Sequence, residues 1–108
     1  MATKALEVHI TAPDRERAAA MARTLVEERL AACVNIVEGV RSIYAWQGNL
    51  CDEAEVLCLV KTRAELLPAL QARVKALHPY EVPEILAFEV AAGSAAYLDW
   101  LTAATREA

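Results

Sequence analysis

The first apolar pattern in the chain alternates with polar residues. In LEVHIT, residues 6–11, the Leu, Val and Ile side chains share one face of an extended segment and Glu, His and Thr share the other. Asp14 follows as a predicted helix N-cap. Apolar residues then recur at helical spacing to about Leu30, with Glu16 in the first turn and Arg29 in the last, where their charges suit the helix dipole. The pattern predicts a strand followed by a helix.

A long hairpin is predicted next. CVNIV begins an extended run, Glu38-Gly39 interrupts it and VRSIYAW continues it, and a glycine inside one extended run indicates a β-bulge or bend. Gln47-Gly48-Asn49 marks a turn, and EAEVLCLVKT returns as a strand. Because the turn end carries Tyr44 and Trp46 among polar neighbours, we expect the hairpin to reach beyond the domain and pair with another chain.

The rest of the chain adds a helix, a strand and a final helix. RAELLPALQARVKAL has apolar residues at helical spacing, and Pro68 places the helix start near Ala64 or later, because proline fits only the first turn. EILAFEV alternates as a fourth strand, and YLDWL belongs to the closing helix. This order predicts an α+β, ferredoxin-like split βαβ fold (βαββαβ plus a C-terminal helix), with residues 1–108 forming a single domain.

Composition favours an oligomer and excludes two classes of partner. Hydrophobic residues make up 56% of the 108 residues, which is more than one small monomer can bury. The formal net charge is −4 and the basic residues are scattered singly, so we expect no nucleic-acid partner. No apolar run reaches membrane-spanning length, so no membrane association is expected either.

The N-terminus and the cysteines favour the cytoplasm. The first residues lack the basic segment, the apolar segment and the cleavage site of a secretion signal. Cys33, Cys51 and Cys58 are odd in number and lack the C-x-x-C spacing, which indicates free thiols in a reducing compartment. Cys33 and Cys58 lie in apolar runs and are predicted to be buried, whereas Cys51 follows the hairpin turn.

Signatures of catalysis are weak. The chain has no G-x-S-x-G elbow, and TAPDRER lacks the glycine that a phosphate-binding loop needs, which argues against an acylphosphatase-like enzyme. The weakest of the functional hypotheses is an enzyme that uses a cleft around Lys61, Glu53 and His78. We therefore expect a protein that is not an enzyme and has no organic cofactor.

Two features suggest metal chemistry, each beside a simpler explanation. Glu53 and Glu55 share one face of a strand and could serve a hard cation or a basic partner, but a solvated strand face is the simpler explanation. In HPYEVPEI, His78 with nearby carboxylates such as Glu84 could form a site for copper, zinc or cobalt. A histidine before Pro79 at a helix end is more often a C-terminal cap whose ring binds orphan carbonyls.

Six motifs together resemble the CutA family of divalent-cation tolerance proteins. They are TAPD, LVEERLAACVNIV, SIYAWQG, LVKT, HPYEVPEI and YLDWL; they occur in this order, and the match covers nearly the whole chain from Leu6 to Leu101. The resemblance implies a cytoplasmic homotrimer of ferredoxin-like subunits joined through their long hairpins, with Tyr44 and Trp46 at the subunit interface. It also implies tolerance of copper and other divalent cations, no established enzymatic activity and, in animal relatives, anchoring of acetylcholinesterase.

The resemblance carries over only part of the copper site. Copper-binding relatives have a cysteine before TAPD and a His-His pair before PY, and this chain has Ile10, Leu77 and His78 at those positions. Metal binding is therefore expected to be weak and to use His78 with carboxylates such as Glu84 or with groups of another subunit. The alternative is a non-enzymatic interaction or signalling module, similar in layout to PII-like trimers, that binds a protein partner or small ligand in the clefts between subunits.

Overall fold

The computed structural model describes residues 4–108. The first three residues, on which the expected absence of a secretion signal partly depends, lie outside the described residues. The elements follow the predicted order: β1 Ala5–Ala12, α1 Arg15–Glu27, β2 Cys33–Trp46, β3 Asn49–Arg63, α2 Leu67–Leu77, β4 Ile85–Glu89 and α3 Ala95–Ala104. A short 3₁₀ turn, Ala64–Leu66, leads into α2 and places Pro68 in the first turn, as predicted.

The four strands form one antiparallel sheet in the order β2-β3-β1-β4, which confirms the predicted α+β fold. β2 and β3 form the long hairpin, and the two-residue turn at Gln47 and Gly48 has positive φ at both positions. Positive φ at both positions is the type I′ geometry that matches the twist of paired strands. The predicted bulge is confirmed, because the register shifts between Val37 and Val40, and Gly39 between them has φ +84°.

The core lies between the sheet and the helices α1 and α2. Leu6, Val8 and Ile10 are buried, as the alternation in β1 predicts, and they pack with residues of β3 and of both helices. β4 is different, because Leu86 and Phe88 are about half exposed although the strand is apolar. β4 and β2 are the two edges of the sheet.

The end of α1 differs from the prediction. The helix ends at Glu27 and not near Leu30, because Arg29 adopts a left-handed conformation with φ 59°. Its guanidinium does not interact with the end of α1 but donates to the backbone oxygens of Ala103, Ala104 and Thr105 at the end of α3. Arg29 therefore caps another helix through contacts distant in sequence.

A second arginine holds the same end of α3. Arg63 is buried, and its guanidinium donates to the Thr105 hydroxyl at 2.8 Å and to the backbone oxygen of Arg106. Arg63 follows core-facing Thr62, so its side chain leaves the sheet on the other side. The first two helices therefore share one face of the sheet, and α3 is tied to the opposite side.

The hairpin gives the molecule its elongated shape, with extents of 46 × 25 × 21 Å. The two faces of its tip differ. Tyr44 pairs with Cys51 and Trp46 with Asn49 on one face, whereas Ile43 and Leu50 alternate with them and occupy the other. Within residues 4–108, no helix has the length and apolar character that crossing a membrane requires.

Candidate functional site

His78 is the C-cap residue of α2, and both of its ring nitrogens are hydrogen-bonded within the chain. Nε2 donates to the backbone oxygen of Thr11 at 2.7 Å, and Nδ1 accepts from the backbone N–H of Tyr80 at 3.1 Å. The residue is only 9% exposed. The predicted capping position is confirmed, but the ring binds the end of β1 and not the helix carbonyls. It fixes the loop that follows α2 against the sheet.

Tyr80 connects this loop to the hairpin. Its hydroxyl donates to Glu55 Oε2 at 2.8 Å, and its ring lies 4.7 Å from the His78 ring between centroids. Glu55 is only 8% exposed, so the solvated-face explanation is wrong for this carboxylate. The local sequence pattern could not show this burial, because Tyr80, which covers Glu55, lies 25 positions away in the sequence.

A cleft of about 670 Å³ lies between the hairpin and the loop after α2. Three of its lining residues are carboxylates, and among the described residues that line it there is no Lys, Arg or His. The lining residues are Thr11, Ser42, Ile43, Tyr44, Trp46, Glu55, Pro79, Tyr80, Glu81, Val82 and Glu84. We call this site the acidic cleft, and its charge suits a cationic ligand.

Both tyrosines of the acidic cleft have raised pKa values. Burial, together with the nearby Glu53 carboxylate, raises the pKa of Tyr44 to about 12. Burial and the hydrogen bond to Glu55 likewise raise the pKa of Tyr80 far above its ordinary value. A phenol with a raised pKa stays neutral at pH 7 and can donate a hydrogen bond to a carboxylate, so the negative charge of the cleft comes from its carboxylates alone.

The structure places the two predicted metal-binding residues around this cleft in different ways. Glu84 is exposed and lines the cleft, whereas His78 lies behind Pro79 and Tyr80 with its ring nitrogens already in use. Within the described residues, no three His, Cys, Asp or Glu side chains are grouped so that they could hold one metal ion. Metal binding through His78 and Glu84 stays a prediction, and the carboxylates of one chain fit a weak site better than a tight one.

Two positions at which the family resemblance implies copper ligands hold apolar side chains in this chain. Ile10 is fully buried in the core, and Leu77 is partly exposed at the end of α2. An isoleucine and a leucine have no donor atom for a metal. Neither position therefore offers a side-chain donor to a metal in the folded chain.

The residues of the enzyme hypothesis do not meet within one chain. Lys61 pairs with Glu7 at 3.6 Å and donates to Asn35, in the part of β3 that is remote from the hairpin turn. Eight positions of extended strand separate it from Glu53, which corresponds to about 26 Å at roughly 3.3 Å per residue. A catalytic group made of Lys61, Glu53 and His78 therefore cannot form within one chain.

The three cysteines are unpaired, as expected, and differ in burial. Cys58 is fully buried in the core, and burial raises the pKa of its thiol to about 11. Cys33 was predicted to be buried but is partly exposed, and it lies at the start of β2, an edge strand of the sheet. Cys51 is also partly exposed and faces the same side of the hairpin as Tyr44.

Tyr44 and Trp46, the predicted interface residues, line the acidic cleft and are 39% and 44% exposed. Two aliphatic residues near them are more exposed: Ile43, which alternates with Tyr44 but also borders the cleft, at 63%, and Leu50, on the other face of the hairpin, at 79%. The two aromatic residues stand out in the sequence because their neighbours are polar. The alternation that separates the two faces was visible in the sequence and identifies Leu50 as well. The interface role of Tyr44 and Trp46 stays a prediction.

Known proteins with similar sequences and structures identify the family. The model of the "CutA1 divalent ion tolerance protein" family matches residues 6–104. The "Divalent-cation tolerance protein CutA" of Thermus thermophilus is 58% identical over 94 residues, which are 87% of this chain and 91% of that protein. "Protein CutA 1, chloroplastic" of Oryza sativa is 46% identical over 93% of this chain and 56% of its own length, so the chain spans about half of such plant relatives.

Solved structures agree with this assignment. The divalent cation tolerance protein from Thermus thermophilus superposes with a TM-score of 0.92 at 55% identity, covering 94% of this chain and 99% of that one. CutA1 from Oryza sativa superposes with a TM-score of 0.95 at 44% identity, covering 97% and 96%. The chain therefore belongs to the CutA1 divalent ion tolerance protein family.

Proposed function

We propose that this protein acts in the cell's tolerance of divalent cations and binds such cations weakly at the acidic cleft. The observation that carries the proposal is the charge of the cleft, to which Glu55, Glu81 and Glu84 contribute carboxylates and no described lining residue contributes a cation. The names of the relatives support the choice of divalent cations as the ligand class. Copper is the first candidate, ahead of zinc and cobalt, since affinity for nitrogen and oxygen sites rises towards copper.

Glu84 and His78 have different parts in this proposal. Glu84 is exposed at the cleft and is free to approach a cation directly. His78 would become a ligand only if its bond to Thr11 or Tyr80 were broken. In the resting chain it therefore positions the loop that carries Tyr80, Glu81 and Glu84. A cation held by few carboxylates keeps part of its water shell, which fits weak and poorly selective binding.

We further propose that the protein works as a cytoplasmic homotrimer without catalytic activity. The long hairpin, the unpaired edges of β2 and β4, and exposed apolar residues such as Leu50 and Phe88 support an assembly. In such an assembly a neighbouring chain would add groups to the open side of the acidic cleft. The assembly would complete a site that one chain forms only in part.

Calorimetric titration with copper(II), zinc and cobalt tests the metal proposal. We expect saturable copper binding that weakens in Glu84→Gln, which keeps the shape of the side chain and removes its charge. Glu27→Gln is the matched control, because Glu27 is exposed on α1 away from the cleft. Equal binding by Glu84→Gln and Glu27→Gln, or no binding at all, would contradict a metal site in the cleft.

His78→Ala separates a ligand from a positioning residue. If His78 only positions the loop, copper binding should weaken together with the stability of the fold, and zinc and cobalt should follow copper. If His78 is a ligand, copper should lose more affinity than cobalt, because imidazole favours copper. A variant that binds all three ions as before would remove His78 from the site altogether.

The second candidate function is a ligand-binding or signalling module, and the size of the acidic cleft supports it. Pockets of about 300–1,000 Å³ are typical of small organic ligands, and the cleft falls in this range at about 670 Å³. Such a module would bind its ligand between subunits, and the cell's response to metals would then be indirect.

A further inference from the structure

The walls of the acidic cleft are aromatic and apolar as well as charged. Tyr44 and Trp46 come from the hairpin, and Tyr80 and Val82 come from the loop after α2. Val82 is 66% exposed beside the carboxylates. These walls offer contact area to an organic ligand, whereas a hydrated metal ion gains nothing from them.

The carboxylates of the cleft are distributed and do not converge. Glu55 lies on β3, whereas Glu81 and Glu84 lie on the loop opposite it. Because no three acidic or metal-ligating side chains within residues 4–108 are grouped around one point, a single point charge cannot satisfy all of them. A ligand with several positive charges at separate positions can.

We propose that the acidic cleft binds a linear aliphatic polyamine, whose ammonium groups are separated by short methylene chains. The ammonium groups would pair with the carboxylates, and a charge over the face of Trp46 or Tyr44 would add a cation–π contact. The methylene groups would cover the apolar surface between the charges. This inference goes beyond metal tolerance, because it gives the cleft a second class of ligand that is recognised by different atoms.

Tyr80 is the group that prepares the cleft for such a ligand. Its hydroxyl holds Glu55 at 2.8 Å, and its backbone N–H is held by His78. The carboxylate is therefore fixed before the ligand arrives, which lowers the entropy lost on binding. Tyr80→Phe keeps the ring and removes only this hydroxyl.

The experiment compares spermidine, a triamine with three positive charges, with cobalt(III) hexaammine, an inorganic cation of the same charge without methylene groups. Calorimetry on the full chain at fixed ionic strength should show saturable spermidine binding, at least tenfold tighter than binding of the hexaammine. Trp46→Leu should weaken spermidine about tenfold and weaken the hexaammine clearly less, because the hexaammine has no methylene groups to pack on the ring. Trp100→Leu is the matched control, because Trp100 is equally exposed at 47% but lies on α3 outside the cleft.

Val82→Lys provides a second variant that does not alter the hairpin. Its tethered ammonium would compete for the carboxylates, and because the position is exposed the substitution should not disturb the fold. We expect spermidine binding to fall at least tenfold in this variant, with an unchanged sedimentation coefficient. The Val82→Lys test would remain valid even if Trp46→Leu altered the assembly of chains.

Three results would overturn the proposal. They are spermidine binding no tighter than that of the hexaammine, affinity indifferent to Trp46→Leu, and affinity indifferent to Val82→Lys. The metal proposal can fail separately, because Glu84→Gln should weaken copper whatever the polyamine does, and Trp46→Leu should weaken spermidine without weakening copper. A further result would also count against the polyamine: a lysine-rich peptide displaces the bound hexaammine and spermidine does not. That result would point to a protein partner.

Discussion

His78 joins three segments of the chain through one ring. Its nitrogens bind Thr11 at the end of β1 and Tyr80 in the loop, while its own backbone N–H closes the last turn of α2 on Val74. A neutral imidazole is suited to this task, because it offers one donor and one acceptor on opposite sides of a rigid ring. The same features make the ring less available to a metal.

Replacing His78 by alanine should therefore destabilise the fold. The Thr11 carbonyl would lose its donor in a buried place, which costs about 1–3 kcal/mol. Urea denaturation at fixed protein concentration measures this loss. Lys75→Ala, an exposed change in the last turn of the same helix, should shift stability by less than about 0.5 kcal/mol. Equal stability of the two variants would show that the ring bonds contribute nothing to the fold.

Cys58 should resist alkylation and should couple stability to alkaline pH. Its pKa of about 11 leaves almost no thiolate at pH 8, so iodoacetamide should label Cys51 far faster in the folded protein. The folded chain keeps the proton when the unfolded chain loses it, so the free energy of unfolding should fall as pH rises from 9.0 towards 11. The slope is at most about 1.4 kcal/mol per pH unit.

Mass spectrometry after brief labelling, and urea denaturation across this pH range, check both statements. In Cys58→Ala, the free energy of unfolding should fall less steeply with pH, because the thiol no longer contributes. This holds whatever the substitution does to stability at neutral pH. Tyr44 and Tyr80 have raised pKa values and titrate in both proteins, so they cancel in the comparison. Rapid labelling of Cys58 at pH 8, with the fold intact, would contradict its burial.

For single residues, the sequence predicts which residues belong to the site better than it predicts what those residues contact. HPYEVPEI was recognisable as a stiff corner because two prolines frame it. The burial of Glu55 was not predictable, because it depends on a hydrogen bond to Tyr80 across 25 positions. Local pattern shows that Glu53 and Glu55 share a strand face but does not show what packs above that face.

Among the elements, the turn of the hairpin combines good and poor residues for its geometry. Gly48 accepts its φ of +81° without cost, but Gln47 has a side chain and a φ of 50°. The left-handed region costs most L-residues about 1–2 kcal/mol and costs asparagine less. The chain therefore keeps a strained first position in an otherwise regular type I′ turn.

Gln47→Asn should stabilise the protein by up to about 1 kcal/mol, since Asn-Gly is the preferred pair for this turn. Urea denaturation at fixed protein concentration measures the change. Gln71→Asn makes the same substitution inside α2, where asparagine is the poorer helix former, and should destabilise slightly. If both variants lost stability, the turn would not gain from asparagine and its conformation would not be the one described.

The two ends of α1 show where sequence periodicity is sufficient to predict a helix boundary and where it is not. Asp14 was predictable as the N-cap of α1, because its carboxylate accepts the Arg17 backbone N–H in a purely local bond. The C-terminus of α1 was not predictable, because Leu30 continues the apolar spacing although Arg29 already lies outside the helix. The guanidinium of Arg29 then binds the end of α3, 75 positions later, and no local pattern contains that contact.

On the scale of the whole molecule, apolar surface is concentrated where a single chain has nothing to cover it. The described part of the chain exposes Leu50 at the hairpin tip, Leu86 and Phe88 on β4, and Tyr97 with Trp100 on α3. The two open sheet edges, β2 and β4, add unpaired backbone groups to this surface. Such a combination favours association of like chains, and composition indicated it before any fold was known.

The hairpin tip should make the decisive contacts of the proposed homotrimer. Sedimentation at micromolar concentration should give a single species of three chains, and Leu50→Glu should shift it to smaller species, because the charge would replace one of the most exposed apolar side chains. Trp46→Glu should also weaken assembly if the neighbouring chain closes the acidic cleft over this indole. Val26→Glu introduces the same charge at an exposed position on α1 and should leave the assembly intact. A trimer that survives both hairpin substitutions would move the contact to the β4 edge, whereas a stable monomer in the unaltered protein would refute the assembly itself.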